Sequence, residues 1–299
     1  MHEIDHWLIV ISDLHCGSRH GLLPRGMFDQ DKAPISLTTK QEWLIDRWHE
    51  FTREWIPNIT RGSPFSVLLN GDAVEGVHHG GAELVSHHVT DHVLIAERLL
   101  LPLRNKAKNF WVVRGTESHV GLSAANEESL AKLLNATTAD EKYYSHWELN
   151  IELEGKLINA AHHARSGVNP AANVYQRFVA SRARHGQQIP DIFIRSHLHE
   201  VSYFKTDKAG GWIHSIVTRP WQAMTGYAHK AVPEALSFVG SHAFGITRGG
   251  EIIEREISWQ VPSEPRFLIN SRTPKNGARS STSKSVSRKG RKAHSPRGK

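Results

Sequence analysis

The sequence predicts an α/β protein. Short aliphatic runs recur along the first two thirds of its 299 residues, and amphipathic helical patterns lie between them. Alternation of strands and helices implies a sheet with helices on its faces. The last third turns to strand-like runs around a glycine turn, which adds a second, more antiparallel sheet. The expected architecture is a layered α/β sandwich.

The elements follow in chain order. Leu8-Ile9-Val10-Ile11 reads as a buried strand. The stretch from Cys16 to Thr39 reads as a long irregular loop, with Arg19, His20 and Arg25 near the first candidate ligands. Leu44, Trp48, Phe51 and Trp55 share one face of a helix, which Pro57 is expected to end. Phe65–Leu69 is the second strand. Val89, Val93, Ala96 and Leu100 mark a second helix before Pro102. Phe110–Val113 is a strand and Asn126–Asn135 a helix. Leu157–Ala161 is a strand. Pro170, Val174 and Phe178 predict a helix closing near Gly186, and Ile192–Ile194 is a further strand. Trp212–Val217, Ala243–Thr247 and Glu251–Ile257 complete the strands, with Arg248-Gly249-Gly250 as a hairpin turn.

Composition separates a body from a tail. The net charge is +7, yet residues 271–299 carry ten Lys or Arg and no acid, leaving 27 basic and 30 acidic groups for the rest. The domain is expected over residues 1–268, followed by a basic tail at 269–299. The tail is rich in Ser, Gly and Lys and lacks aromatic residues, so it cannot offset chain entropy and is expected to be disordered. Such a tail suits DNA, RNA or another polyanion, or serves solubility alone. The single cysteine, Cys16, excludes an internal disulfide framework and fits a reducing, cytoplasmic compartment. The apolar stretch behind the charged N-terminus is too short for a signal peptide or membrane span, so no membrane partner is expected.

Chemistry-bearing residues follow five of the aliphatic runs. These are Asp13 and His15; Asn70-Gly71-Asp72, then Glu75; Arg114-Gly115-Thr116-Glu117-Ser118-His119; His162-His163; and Ser196-His197-Leu198-His199. Ligands of α/β sheets gather outside the carboxyl ends of strands, so five strands can bring these groups to one edge. Imidazole with carboxylate suits Mn, Fe, Zn or Ni better than the oxygen-seeking Mg or Ca. Six strong candidates are too many for one open tetrahedral site. They suit two divalent ions roughly 3.5–4 Å apart, an arrangement that activates water and clamps a phosphoryl group.

Other residues have blander readings. His87, His88 and His92 fit a helix surface or its packing, and His78 and His79 either face substrate or end a turn. Glu75 suits hydrogen bonding to a ligand rather than ligation. Cys16 packs. Trp212, Trp221 and Tyr227, near Arg219 and Lys230, fill a core or lid more readily than they stack bases.

Taken together, the blocks resemble the calcineurin-like metallophosphoesterases. Asp13-Leu14-His15 matches the family's Asp-x-His, and Gly71-Asp72-Ala73-Val74-Glu75 its Gly-Asp-x-x-acid. His162 matches its lone His. Ser196-His197-Leu198-His199 matches its Gly-His-x-His, with Ser in place of Gly. The resemblance implies a four-layer α/β/β/α sandwich. It implies one ion on Asp13, His15 and His199, a second on His162 and His197, and Asp72 bridging them. The third block departs from the family's Gly-Asn-His: Thr116 stands at the Asn position and Glu117 at the His position. The expectation is that Glu117 or Thr116 supplies an oxygen to the second ion and that His119 is catalytic. This loop and Glu75-Gly76-Val77-His78-His79 look similar to the family's phage and prophage members.

The function expected is metal-dependent phosphoester hydrolysis with Mn foremost, of a phosphodiester or nucleic acid ahead of a phosphomonoester. The alternative class is a metal- and nucleic-acid-binding module with weakened catalysis.

Overall fold

The computed structural model describes residues 3–78, 83–226 and 237–262. The expected tail at 269–299, and with it the body–tail boundary, lies outside them. So do His79, Tyr227 and Lys230.

Eleven strands form two sheets among the described residues. They are β1 (Ile4–Ile11), β2 (Phe65–Asn70), β3 (Phe110–Val113), β4 (Ser145–His146), β5 (Glu148–Leu153), β6 (Lys156–His163), β7 (Ile192–Ser196), β8 (Ser202–Lys208), β9 (Gly211–Val217), β10 (Phe238–Thr247) and β11 (Ile252–Gln260). The first sheet has the order β11-β10-β1-β2-β3-β4 and the second β5-β6-β7-β9-β8. β1 to β4 run parallel, with β10 and β11 added antiparallel at one edge. In the second sheet β6, β7 and β9 are parallel, with antiparallel β5 and β8 at the edges.

The helices are α1 (Thr39–Glu50), α2 (Ile56–Thr60), α3 (Val89–Arg104), α4 (Glu117–Val120), α5 (Ala125–Leu133) and α6 (Pro170–Ser181). Local chemistry sets their starts. Thr38 and Gln41 form a reciprocal capping box at α1. Asn169 caps α6 ahead of Pro170, whose missing N–H costs nothing in a first turn. Two proline stops are corrected. A π-helical turn at Phe51–Trp55 leads into α2, where Pro57 sits in the first turn. α3 runs past Pro102 to Arg104.

Strand alternation builds the layers. Trp7, Ile9 and Ile11 of β1 face a core shared with α1, α3 and α5, while Leu8 and Val10 face the second sheet. Ile158 and Ala160 of β6, with Ile192 and Ile194 of β7, meet them there. The opposite face of the second sheet, through Phe193 and Ile213, packs on Val174 and Phe178 of α6. The result is a four-layer α/β/β/α sandwich. Among the described residues no helix is long and apolar enough to cross a membrane.

Candidate metal centre

The carboxyl ends of β1, β2, β3, β6 and β7 converge, and the side chains there form linked clusters. Asp13, His15 and His199 offer ligand atoms within 4.8 Å of one another, as do Asp72, His162 and His197. His15, Asp72 and His119 form a third such group, which connects the first two.

The backbone at these turns is unusual. Asp13, His15, Asp72, His197 and His199 all have left-handed φ, between 44° and 75°. Non-glycine residues held there cost about 1–3 kcal/mol each, and such strain concentrates at functional sites. Gly71 is required where it stands: its φ is +87°, and a Cβ would lie 2.4 Å from His162 Nδ1. At Gly115 a Cβ would lie 2.1 Å from Asp72 Oδ1.

Four of the ligand candidates, His15, His162, Asp72 and His197, are held by a neighbour. His15 Nδ1 lies 2.7 Å from Glu75 Oε2, which leaves Nε2 facing the site. His162 donates Nδ1–H to Asn70 O at 2.8 Å and leaves its own Nε2 inward. Such outer hydrogen bonds fix the tautomer and raise the basicity of a metal-bound imidazole. Thr116 donates its backbone N–H to Asp72 Oδ1 at 2.7 Å and its hydroxyl to Asp72 Oδ2 at 3.1 Å. The same hydroxyl lies 3.1 Å from His197 Nδ1.

Three of the inward atoms make no hydrogen bond, and the polar atoms close to them belong to other ligand candidates. Both Asp13 oxygens and His162 Nε2 are buried without a hydrogen bond. His162 Nε2 lies 2.9 Å from Asp72 Oδ2, and His199 Nε2 lies 3.3 Å from both Asp13 Oδ1 and His15 Nε2. Buried carboxylates are normally satisfied, so this set fits cations that bind oxygen and imidazole nitrogen. The electrostatics agree. Burial opposes charge on Asp72, but the adjacent His162 outweighs it and holds the carboxyl far below its usual range. Burial also opposes charge on His162, yet Asp72 and Asp13 push it up to about 10. A divalent ion would take over the role of that proton.

The sequence-level candidates are thus placed as follows. Asp13, His15, Asp72, His162, His197 and His199 are brought together, and His119 joins them through His15 and Asp72. Its Nδ1 donates to Glu75 O at 2.8 Å. Of the His162–His163 pair, His162 is buried at the centre and His163 is exposed. Glu117 stands apart from them: it is exposed at the first position of α4 and belongs to none of these clusters, and Thr116 holds the place beside Asp72 and His197. Trp221 is fully buried against Trp48 and Phe51, so it is a core residue.

Sequence reasoning missed Glu127. This buried carboxylate accepts from Ala73 N at 3.0 Å and Gly115 N at 2.6 Å, holding together the loops that carry Asp72 and Thr116. Burial, with the charge of Asp72, pushes it up to about 7. A signal existed: Glu127 shares the apolar face of α5 with Leu130, Ala131 and Leu134. The departure at Ser196 also has a role. Its hydroxyl receives Asn70 Nδ2 at 2.7 Å and lies 2.7 Å from Thr218 Oγ1, which in turn lies 2.7 Å from Ser12 Oγ. This chain ties the ends of both sheets together behind the ligands.

No protein-family model and no curated protein matches the sequence. Solved structures with some likeness include an archaeal phosphodiesterase, 13% identical over 85% of this chain and 99% of that one, TM-score 0.43. Another is zinc-complexed Vps29 of Entamoeba histolytica, 12% identical over 84% and 98%, TM-score 0.37. A third is the NAD nucleotidase of Haemophilus influenzae, 9% identical over 85% of this chain and 50% of that one, TM-score 0.40. Likeness at these scores carries no weight for the chemistry, which rests on the side chains above.

Proposed function

We propose that the chain is a two-metal phosphoesterase that hydrolyses phosphodiesters, with Mn the first candidate metal. The observation that carries this reading is the pair of ligand groups at one sheet edge, with the buried, unsatisfied Asp13 in one and Asp72 in the other. Asp13, His15 and His199 would hold one ion, His162 and His197 the other, with Asp72 between. Two divalent ions there would supply Lewis acidity toward a phosphoryl group and lower the pKa of a water to about 7.

The protein's own residues do the rest. Glu75 and Asn70 O hold His15 and His162 in the tautomer that turns Nε2 inward. Thr116 and Glu127 fix the Asp72 loop against the β3 loop. His119 commits Nδ1–H to Glu75 O, so its neutral form presents a lone pair at Nε2. That nitrogen would take the proton that the attacking water gives up and pass it to the leaving oxygen.

The basic charge of 269–299 favours a nucleic-acid diester by counterion release. One assay set tests both statements. The Mn-loaded full chain, Asp72→Asn and a chain ending at 268 are compared on a chromogenic aryl phosphodiester and on DNA. Asp72→Asn is expected to lose at least about a thousandfold in turnover on both substrates. Truncation is expected to weaken DNA cleavage at moderate salt and leave the aryl diester untouched. An active Asp72→Asn overturns the metal reading. Equal effects of truncation on both substrates overturn the tail reading.

A further inference from the structure

The outer face of the second sheet carries a basic cleft. Ile158, Ala160, Ile192 and Ile194 face the first sheet, so Asn159 and Arg195 project the other way, toward α6. Between them and α6 lies a cleft of about 280 Å³ that includes His163, Arg165, Asn173, Arg177, Arg182 and Arg195 in its lining.

Charge in this cleft is unbalanced. Its lining holds four guanidiniums and one carboxylate, Glu148. Arg182 takes that carboxylate in a two-pronged pair at 2.5 and 2.8 Å. Arg195 donates to neutral groups, Ile194 O at 2.7 Å and Asn159 Oδ1 at 2.7 Å. Arg165 and Arg177 are exposed and form no ion pair among the described residues. Crowded cations of this kind are stabilised by an anion, and guanidinium forks match phosphate geometry. The cleft adjoins the metal centre: the His163 ring that lines it lies 4.8 Å from the His197 ring.

We propose that this cleft is a second anion subsite, holding a phosphate further along a substrate whose scissile phosphate sits at the metal centre. The proposal rests on the phosphoesterase reading and narrows it to substrates that carry more than one phosphate. A nucleic-acid strand and a nucleoside polyphosphate share this chemistry. Arg165 and Arg177 supply the free forks, and Asn173 of α6 supplies an amide beside them. A substrate with a single phosphate gains nothing from the cleft.

The test is equilibrium binding without turnover. Dye-labelled hexathymidylate is titrated with the full chain in EDTA at several salt concentrations, and ATP is titrated in parallel. Arg165→Gln/Arg177→Gln is compared with wild type and with Arg53→Gln/Lys106→Gln, which removes two exposed cations from the opposite helical layer. The cleft pair is expected to weaken at least one ligand about tenfold, and the control pair less than about twofold. For the single strand, two lost contacts at about 0.7 each lower the salt slope by about 1.4. Loss confined to hexathymidylate identifies a strand as the source, loss confined to ATP a polyphosphate, and either supports the subsite. Unchanged affinity for both ligands, or equal weakening by cleft and control pairs, overturns it. Because metal and turnover are absent from this experiment, its failure is separate from failure of the Mn-dependent hydrolysis that tests the proposed function.

Discussion

Single residues decide most of what this site can do, and the third ligand block shows it best. Thr116 places a hydroxyl 3.1 Å from both Asp72 Oδ2 and His197 Nδ1, while Glu117 turns outward. A charged residue in an ungapped motif is a natural candidate ligand, but sequence spacing does not reveal that it opens a helical turn whose side chain points to solvent. Thr116→Val is therefore expected to weaken binding of the second Mn by about tenfold or more. Glu117→Gln should change it less than about twofold. Calorimetric Mn titration reads both, and the reverse order would restore Glu117 as the ligand. The choice between His162 and His163, by contrast, was open in the motif and is separated by burial. His162 is buried among the ligand candidates, while His163, beyond an irregularity in the β6–β7 pairing, is exposed and lines the cleft.

At the scale of elements, the buried strands were legible because their aliphatic runs have no other use. β1, β2, β3, β6 and β7 all appear where those runs predict them. The edge strands β5 and β8 were not, since Ser202–Lys208 alternates partly buried and exposed residues with Phe204 the one apolar residue among the partly buried. Pro57 misled for a local reason: a proline in a first turn needs no N–H partner, and a π-helical turn absorbed the geometry before it, whereas Pro102 sits inside the last turns of α3. β10 carries its own testable strain. His242 is fully buried, with Nε2 unpartnered and Nδ1 3.3 Å from Tyr203 OH. Burial outweighs the nearby Glu256 and Glu254 and, aided by Arg219, pushes its pKa down from 6.5 to about 4. The folded state therefore prefers neutral His242. Its contribution is intact above pH 6.5 and is lost as pH falls toward 4, by roughly 3 kcal/mol at about 1.4 kcal/mol per unit. Urea unfolding at pH 7.5 and 4.5 should show His242→Leu losing less stability on acidification than wild type. Parallel losses would contradict this account.

Across the whole molecule, the four layers explain why the motifs were readable and their geometry was not. Ligand candidates spread from residue 13 to residue 199 meet only because two sheets stack with their carboxyl ends at one edge. What binds the ends together is polar and unpatterned: the Ser12–Thr218–Ser196–Asn70 chain and the Glu127 bridge. Neither has a periodicity that announces it. The basic cleft was equally hidden, because its arginines come from β7, α6 and the loop between β6 and α6. Its position beside His197 makes metal centre and anion subsite two parts of one proposed substrate path. The central claim, two ions sharing Asp72, is tested most directly by electron paramagnetic resonance of the chain titrated with Mn. Two ions about 3.5–4 Å apart predict a spin-coupled multiline spectrum that grows in to two Mn per chain and is absent in Asp72→Asn. A simple six-line spectrum saturating at one Mn per chain would contradict it.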